Sequence, residues 1–455
     1  MAHVEQHAGV DPDRVVNKCA RKIMPLVLFG FFLCYLDRSN VGIASLTMNA
    51  DLGITPEMYG WAVSLFFWGY CLFEVPSNMA LAHFGARIWI ARIMVMWGAM
   101  SLAMAWVWSK ESYYVLRFLL GVAEAGFVPG VIFYFRSWFP QRYHNRMLGM
   151  FLVANPLSSL IGSPLSALLL QMDGILGMQG WQWLFILESV PTIVFGFVIF
   201  WLLPNKPGDV KWLSREEKAW IESTLEQERA SRKGIKSESV LGVIFNPRIW
   251  LLSSIYLGLM IGMYGVSFFL PQIVKGFGFS TLQIGFISAI PSLFSAIAMV
   301  LWSRSSDRTG ERALHTAAAA VVAMIGLLIA ATATSPVVSL VGLTLTSVGT
   351  LAGMVTFWAM PNALVTGAQA AAAFGLINTF GAFGGVVGPN IMGFLRGLTG
   401  DFQSGLFGLA ACQVVGVAVA LYFRKEVNAA RSREQAASAS KSTSLEAGGV
   451  KPVVR

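Results

Sequence analysis

The sequence predicts an all-α membrane protein with twelve transmembrane helices in two six-helix halves. Its 455 residues are 55% hydrophobic and only 13% charged, too apolar for a chain whose main solvent is water. Charge-poor runs of about 20 residues alternate with short charged stretches, the spacing that a hydrocarbon core of roughly 30 Å imposes on helices. One long polar connection, Pro204 to Arg248, divides these runs into two equal blocks.

Taken in order, the apolar runs predict spans at about 23–47, 60–82, 88–108, 113–137, 147–170 and 181–203. The second block follows at about 249–271, 282–303, 313–333, 337–360, 370–395 and 403–424. Residues 1–22 carry Arg14, Lys18, Arg21 and Lys22 without a cleavable signal pattern, so the first span is expected to stay as an anchor. The domains read as a cytoplasmic N-terminus (1–22), a first half (23–203), an inter-half loop (204–248), a second half (249–424) and a disordered tail (425–455). Within the loop, Ser214 and Glu217 have capping-box spacing and open a charged helix through about Arg232, either a surface helix or a solvated linker.

Basic residues near span ends are retained in the cytoplasm. With the N-terminus inside, Lys110, Lys275 and Arg396 fall outside, Arg38 and Arg117 fall within spans, and the rest of the 33 Lys and Arg lie in cytoplasmic segments or near cytoplasmic span ends. Both termini are then cytoplasmic, and the net charge of +9 is topological, with no basic face for nucleic acid. Cys19, Cys34, Cys71 and Cys412 have no paired spacing, so neither disulfides nor a metal site are expected. The histidines, at 3, 7, 83, 144 and 315, lie outside the spans or, for His315, in the first turn of one, which leaves carboxylates for any proton coupling in the membrane interior.

An ionisable group at mid-membrane costs at least about 2.5 kcal/mol on insertion scales. Leaving aside Arg92, Arg136, His315 and Arg424 near the cytoplasmic ends of their spans, the spans contain six: Asp37, Arg38, Glu74, Arg117, Glu124 and Glu188, all in the first half. Tyr35 to Asn40 read YLDRSN in the middle of the first span, and Arg117 and Glu124 sit seven residues apart, on one helix face about 10 Å along the axis. Gly126 and Gly130 permit close approach, so Asp37 with Arg38 could meet Arg117 with Glu124. Such a set is either a structural ion-pair network or a site in which Arg binds an anion while a carboxylate takes a proton. Arg117 could instead snorkel outward, and Glu74 and Glu188 read first as structural. Trp358 before Pro361, Asn378 on a glycine-rich span, Tyr70, and Asn155 before Pro156 are polar insertions whose plainer role is interhelical hydrogen bonding.

Asn78 to Arg87 read NMALAHFGAR, and Ser303 to Arg312 read SRSSDRTGER at the corresponding place in the second half. The second copy resembles the major facilitator loop motif through Asp307, Arg308, Gly310 and Arg312; the first keeps Gly85 and Arg87. These residues are candidate gate elements, or else solvated turns. RFLLGVAEAGFVPG, RSWFP with QRYHNR, and GWQWLFILESVP together resemble the anion:cation symporter family of the major facilitator superfamily, from about residue 20 to 425.

That resemblance implies the major facilitator fold, a usually monomeric protein of the bacterial inner membrane, and proton-coupled import of organic anions, with no enzymatic activity and no cofactor. It implies proton coupling at Asp37 and Glu124 and anion recognition at Arg38 and Arg117, with Tyr35, Tyr70, Asn155, Trp358 and Asn378 in the cavity. The segment QMDGILGMQGWQW resembles the tartrate and phthalate branch, which points to a small carboxylate, tartrate-, phthalate- or sugar-acid-like. The alternatives are an organic-anion facilitator or exchanger without net proton movement, and a carboxylate-binding membrane sensor.

Overall fold

The computed structural model describes residues 10–233, 240–364 and 369–447; expectations for the start of the N-terminus, part of the inter-half loop and the end of the tail lie outside the described residues. Among the described residues every regular element is helical. The first half contains α1 (Pro12–Asp51), α2 (Pro56–Phe84), α3 (Ala86–Ala103), α4 (Lys110–Glu124), α5 (Phe127–Phe135), α6 (Gln141–Leu152), α7 (Ala154–Leu169) and α8 (Gly180–Leu202). The connection holds α9 (Arg215–Lys233) and α10 (Val240–Ile244). The second half contains α11 (Pro247–Lys275), α12 (Thr281–Thr309), α13 (Arg312–Thr332), α14 (Pro336–Phe357), α15 (Ala359–Leu364), α16 (Gln369–Ala382), α17 (Gly384–Thr399) and α18 (Gln403–Ala447).

Eleven helical stretches are long and apolar enough to cross a membrane, by length and composition. The remaining predicted span, 60–82, is the 29-residue α2, which is outside that set. Glu57, Glu74, Asn78 and His83 dilute its apolar character, yet its length of about 43 Å suffices to cross. Starts are fixed by local chemistry: the Thr55 side chain accepts from the Met58 amide ahead of α2, and Ser109 with Ser112 and Ser280 with Gln283 form capping boxes on α4 and α12.

Four predicted spans are broken rather than continuous. Gly126, at φ +89°, separates α4 from α5, and α16 gives way to α17 at Phe383 amid glycines. Pro156 has no N–H for the carbonyl of Leu152, where α6 ends, and Pro361 stands in the same relation to Phe357, where α14 ends. The tail differs more: α18 does not stop near 424 but continues to Ala447, because a stretch rich in Ala, Arg, Glu and Lys and free of Gly and Pro through Glu446 favours helix once a preceding span nucleates it.

The capping box predicted in the connection is present, with the Ser214 amide donating to Glu217 Oε2 at 2.7 Å and the Glu217 amide to Ser214 Oγ at 3.1 Å. The helix it opens docks on the first half: Lys18 Nζ meets Glu217 Oε2 at 2.7 Å, and the Gln141 amide donates to Glu228 at 3.0 Å. Trp212, just ahead of it, stacks on Trp138 at 5.9 Å.

The halves pack through α2 against α17, α7 against α12, and α1 against α11. Tight contacts gather at the end of the bundle away from the termini. There the Tyr59 hydroxyl donates to the Phe268 carbonyl at 2.9 Å, Gln272 Nε2 to Ser45 Oγ at 2.9 Å, and Lys275 to the Leu46 carbonyl. A Cβ on Gly60 would fall 2.5 Å from the Pro389 carbonyl oxygen, so these helices touch through backbone.

Candidate functional site

Helix α1 carries Arg38 into the centre of the bundle. Its Nε donates to Glu124 Oε1 at 2.6 Å, its Nη2 pairs with the same oxygen, and the side chains are only 9% and 1% exposed. Cys34 Sγ, one turn earlier, donates to that oxygen at 3.2 Å. The rings of Tyr35, Phe66 and Tyr70 surround the guanidinium, 5.3, 5.4 and 5.1 Å from its carbon. Glu124 is the last residue of α4, immediately before the break, and its Oε2 has no hydrogen-bond partner.

Asp37 does not join this pair. Consecutive helix residues point about 100° apart, so Asp37 turns away from Arg38 and accepts from Ser101 Oγ on α3 and from Asn40 Nδ2 at 3.1 Å. Arg117 is buried without a carboxylate within ion-pairing distance among the described residues. Its Nε reaches the Ala62 carbonyl at 3.5 Å and its guanidinium lies 5.1 Å from the Phe66 ring. The expected meeting of two cations with two carboxylates across Gly126 and Gly130 is therefore corrected: only Arg38 and Glu124 pair, and the helix in close approach is α2. A Cβ on Gly126 would strike Ser77 Oγ at 2.3 Å, and one on Gly130 would strike Leu81 at 2.5 Å. Burial of the Arg117 side chain also excludes snorkelling outward.

A cavity between the halves is lined from the first half by Tyr35, Arg38, Ser39, Asn155 and Ser159, and from the second by Met263, Tyr264, Ser267, Ser292, Ser295, Thr346, Ser347 and Thr350. Of the expected substrate contacts, Tyr35, Arg38 and Asn155 lie on it, and Tyr70 closes on the Arg38 ring cage behind it. Trp358 packs instead on Tyr256 and Phe374, at 5.1 and 6.1 Å, and Asn378 bonds Glu74. The hydroxyl wall of the second half is not among the residues expected from sequence. Its signal was faint: Thr346 and Thr350 at i, i+4 and Ser292 and Ser295 at i, i+3 share faces, but Ser and Thr are ordinary in spans. Thr346, Ser347 and Thr350 donate back to their own helix carbonyls, whereas Ser295 Oγ, fully buried, has no partner.

The gate candidates lie at the terminus end. Arg312 Nη1 pairs with Asp307 and reaches Ser306 Oγ at 3.2 Å, closing the turn at Gly310. Arg308 is exposed. In the first loop the Arg87 amide donates to Asn205 Oδ1 at 3.2 Å, and its guanidinium lies 5.4 Å from Phe200, so that loop is tied to the end of α8.

Known proteins agree with this architecture. A bacterial homologue of the human lysosomal transporter Spinster, in an inward-facing and occupied conformation, superposes with a TM-score of 0.70 over 93% of this chain and 98% of its own, at 13% identity. An Agrobacterium vitis protein named "Putative tartrate transporter" is 44% identical over 408 residues, 90% of this chain and 94% of its own. The "Quinolone resistance transporter" of Acinetobacter baumannii is 39% identical over 404 residues, 89% of this chain and 93% of its own. The family model for Major Facilitator Superfamily matches residues 27–389, which contain α2 to α16 complete together with the Arg38–Glu124 pair and the cavity; this chain belongs to that superfamily of membrane transporters.

Proposed function

We propose that the protein imports a small organic carboxylate together with protons by alternating access, in the inner membrane of a bacterium with both termini cytoplasmic. The observation that carries this reading is the buried Arg38–Glu124 pair on the wall of a cavity to which both halves contribute. The 44% identity to a protein named for tartrate supports the substrate class.

Among the described residues Arg38 carries the only guanidinium on the cavity wall, and a carboxylate substrate would compete for it with Glu124. A carboxylate that loses its cation in apolar surroundings binds a proton more readily. Anion binding at Arg38 and proton binding at the freed carboxylate then favour each other, and the loaded site crosses with its charges compensated. Tyr35 and Asn155 orient the anion, the hydroxyls of α12 and α14 meet its distal end, and Arg117 acts on Asp37 from behind Phe66. With the termini inside, the tight packing at the far end makes this an inward-facing arrangement, and the Arg87, Asp307, Arg308 and Arg312 loops belong to the gate that must close. The protein works as a monomer in this scheme.

The test is uptake of labelled tartrate, phthalate, hydroxybenzoate and sugar acids into proteoliposomes, with and without an inward proton gradient. Gradient-stimulated accumulation of one acid, lost in Glu124→Gln, is expected. Gradient-independent exchange, unchanged in that variant, would make Glu124 a plain counter-ion and the protein an exchanger.

A further inference from the structure

Glu188 takes no part in the cycle above. It lies within α8, 3% exposed; Ser166 Oγ on α7 donates to its Oε1 at 2.7 Å, while its Oε2 has no partner. Asp37 on α1 repeats the pattern. It too is 3% exposed, with Oδ1 taken by Ser101 and Asn40 and Oδ2 without a partner. Asn40, itself 1% exposed, donates to Asp37, and the crossing of α3 with α8 brings Glu188 to the same level. A Cβ on Gly98, one turn before Ser101, would fall 2.7 Å from Ile193 and 3.3 Å from Thr192, one turn after Glu188, so Asn40 faces Glu188 as well.

The surroundings supply no compensating ion pair among the described residues. Helices α1, α3 and α7 pack on α8. On α1 the neighbouring charge is Asp37, since Arg38 is turned to Glu124. Helix α3 carries Arg87 and Arg92 only in its first two turns, far from Ser101, and α7 has no ionisable side chain. From α4 both Glu124 and Arg117 act on Asp37, with opposite sign. Asp51 and Asp173 are engaged at the start of α8, with Trp181 Nε1 at 2.8 Å and the Gly180 amide at 2.8 Å. Two carboxyl groups flanking one amide in an apolar interior repel each other and lack hydration, so one proton between them is the arrangement of lower energy.

We propose that Asp37 and Glu188 form a shared proton-holding site inside the first half, bridged by Asn40 and separate from the substrate cavity, and that Glu188 is a second proton carrier of the transport cycle. The step is a simple protonation. An unpartnered carboxylate oxygen gains an O–H bond with a proton from one side of the membrane, and that bond breaks to release the proton on the other. Asn40 is a positioning residue, since it acts only by orienting both carboxyls. The inference rests on proton coupling as proposed above.

The experiment measures protons moved per substrate, and the pH profile of uptake, in proteoliposomes holding the full chain. Wild type is compared with Glu188→Gln, Glu188→Asp and Asn40→Ser. Glu188→Gln is expected to move one proton fewer per substrate and to flatten the pH profile, with counterflow slowed less than accumulation. Glu188→Asp is expected to keep the stoichiometry, and Asn40→Ser to shift the pH midpoint by half a unit or more. Wild-type stoichiometry and profile in Glu188→Gln overturn the proposal. Should that variant not reach the membrane, an unshifted midpoint in both Glu188→Asp and Asn40→Ser overturns it equally. Accumulation by wild type without any proton movement overturns this inference and the symport reading together, so the two failures are told apart.

Discussion

Asn378 on α16 donates across the two halves to Glu74 on α2, Nδ2 to Oε1 at 3.0 Å, joining residues 304 positions apart. Glu74 is 5% exposed, stands one turn from Tyr70, and keeps Oε2 without a partner. The family resemblance points Asn378 to the cavity, while its plainer reading is interhelical hydrogen bonding, and Glu74 reads first as structural; the geometry bonds the two to each other across the interface of the halves.

In the proposed alternating-access cycle this bond must form and break, which predicts coupled losses. Removing either partner leaves the other buried and unsatisfied, at a cost of about 1–3 kcal/mol. Asn378→Ala and Glu74→Ala should each slow uptake several-fold, and the double variant should be no slower than the worse single, because both remove one interaction. Initial uptake rates for the three variants check this. Additive losses would mean that the two residues act separately.

Arg38 and Glu124 separate folding from transport. Breaking a buried pair from one side costs about 3–5 kcal/mol, whereas replacing both members by apolar groups is often neutral. Arg38→Met should therefore lower thermal stability in detergent, and Arg38→Met with Glu124→Leu should recover most of it. Neither should transport, since no cation remains for the anion. Uptake regained with stability would show that the pair is structural only.

Gly121 sets the crossing of α2 and α4. A Cβ there would sit 1.9 Å from the Phe66 carbonyl oxygen, against backbone that cannot swing aside. Gly121→Ala must push α2 away and disturb Phe66 and Tyr70, which cage Arg38. A stability loss of about 1–3 kcal/mol and at least tenfold slower uptake are expected. Gly149→Ala on α6 is the control: nothing lies within 4 Å of its Cβ position, and stability should hold or rise slightly. Equal melting temperatures for the two variants would contradict this.

The helices were legible because a bilayer fixes their length and removes their charges. The same economy exposed Asp37, Arg38, Arg117 and Glu124 as exceptions. Their pairing was not legible, because it depends on how α1 and α4 are rotated about their axes. Asp37 and Arg38, adjacent in sequence, face α3 and α4 respectively. Nor was the hydroxyl wall of α12 and α14, since its side chains are ordinary in membrane helices and are distinguished only by facing one cavity. The breaks after Leu152 and Phe357 could have been read from Pro156 and Pro361, whose missing N–H groups fall one turn later.

The loop that matches the facilitator motif is also tied to the last helix. Arg424 donates to both Glu311 oxygens, Nε to Oε2 at 3.1 Å and Nη2 to Oε1 at 3.3 Å, and Glu311 precedes α13, where a helix N-terminus favours negative charge. Hydrogen bonds from Arg424, and then from Asn428, hold the Glu311 carboxyl below the usual carboxylate range. A depressed value contributes stability that is complete above the unfolded value of about 4.3 and is lost as pH falls through the folded one. The side chains are 45% and 30% exposed, so solvent screening leaves the pair only a small contribution. Glu311→Gln should melt slightly below wild type at pH 7, and the gap should close toward pH 3 and in high salt. Thermal unfolding in detergent across that range decides it: a gap that persists at pH 3 would assign the effect to packing of the turn rather than to charge.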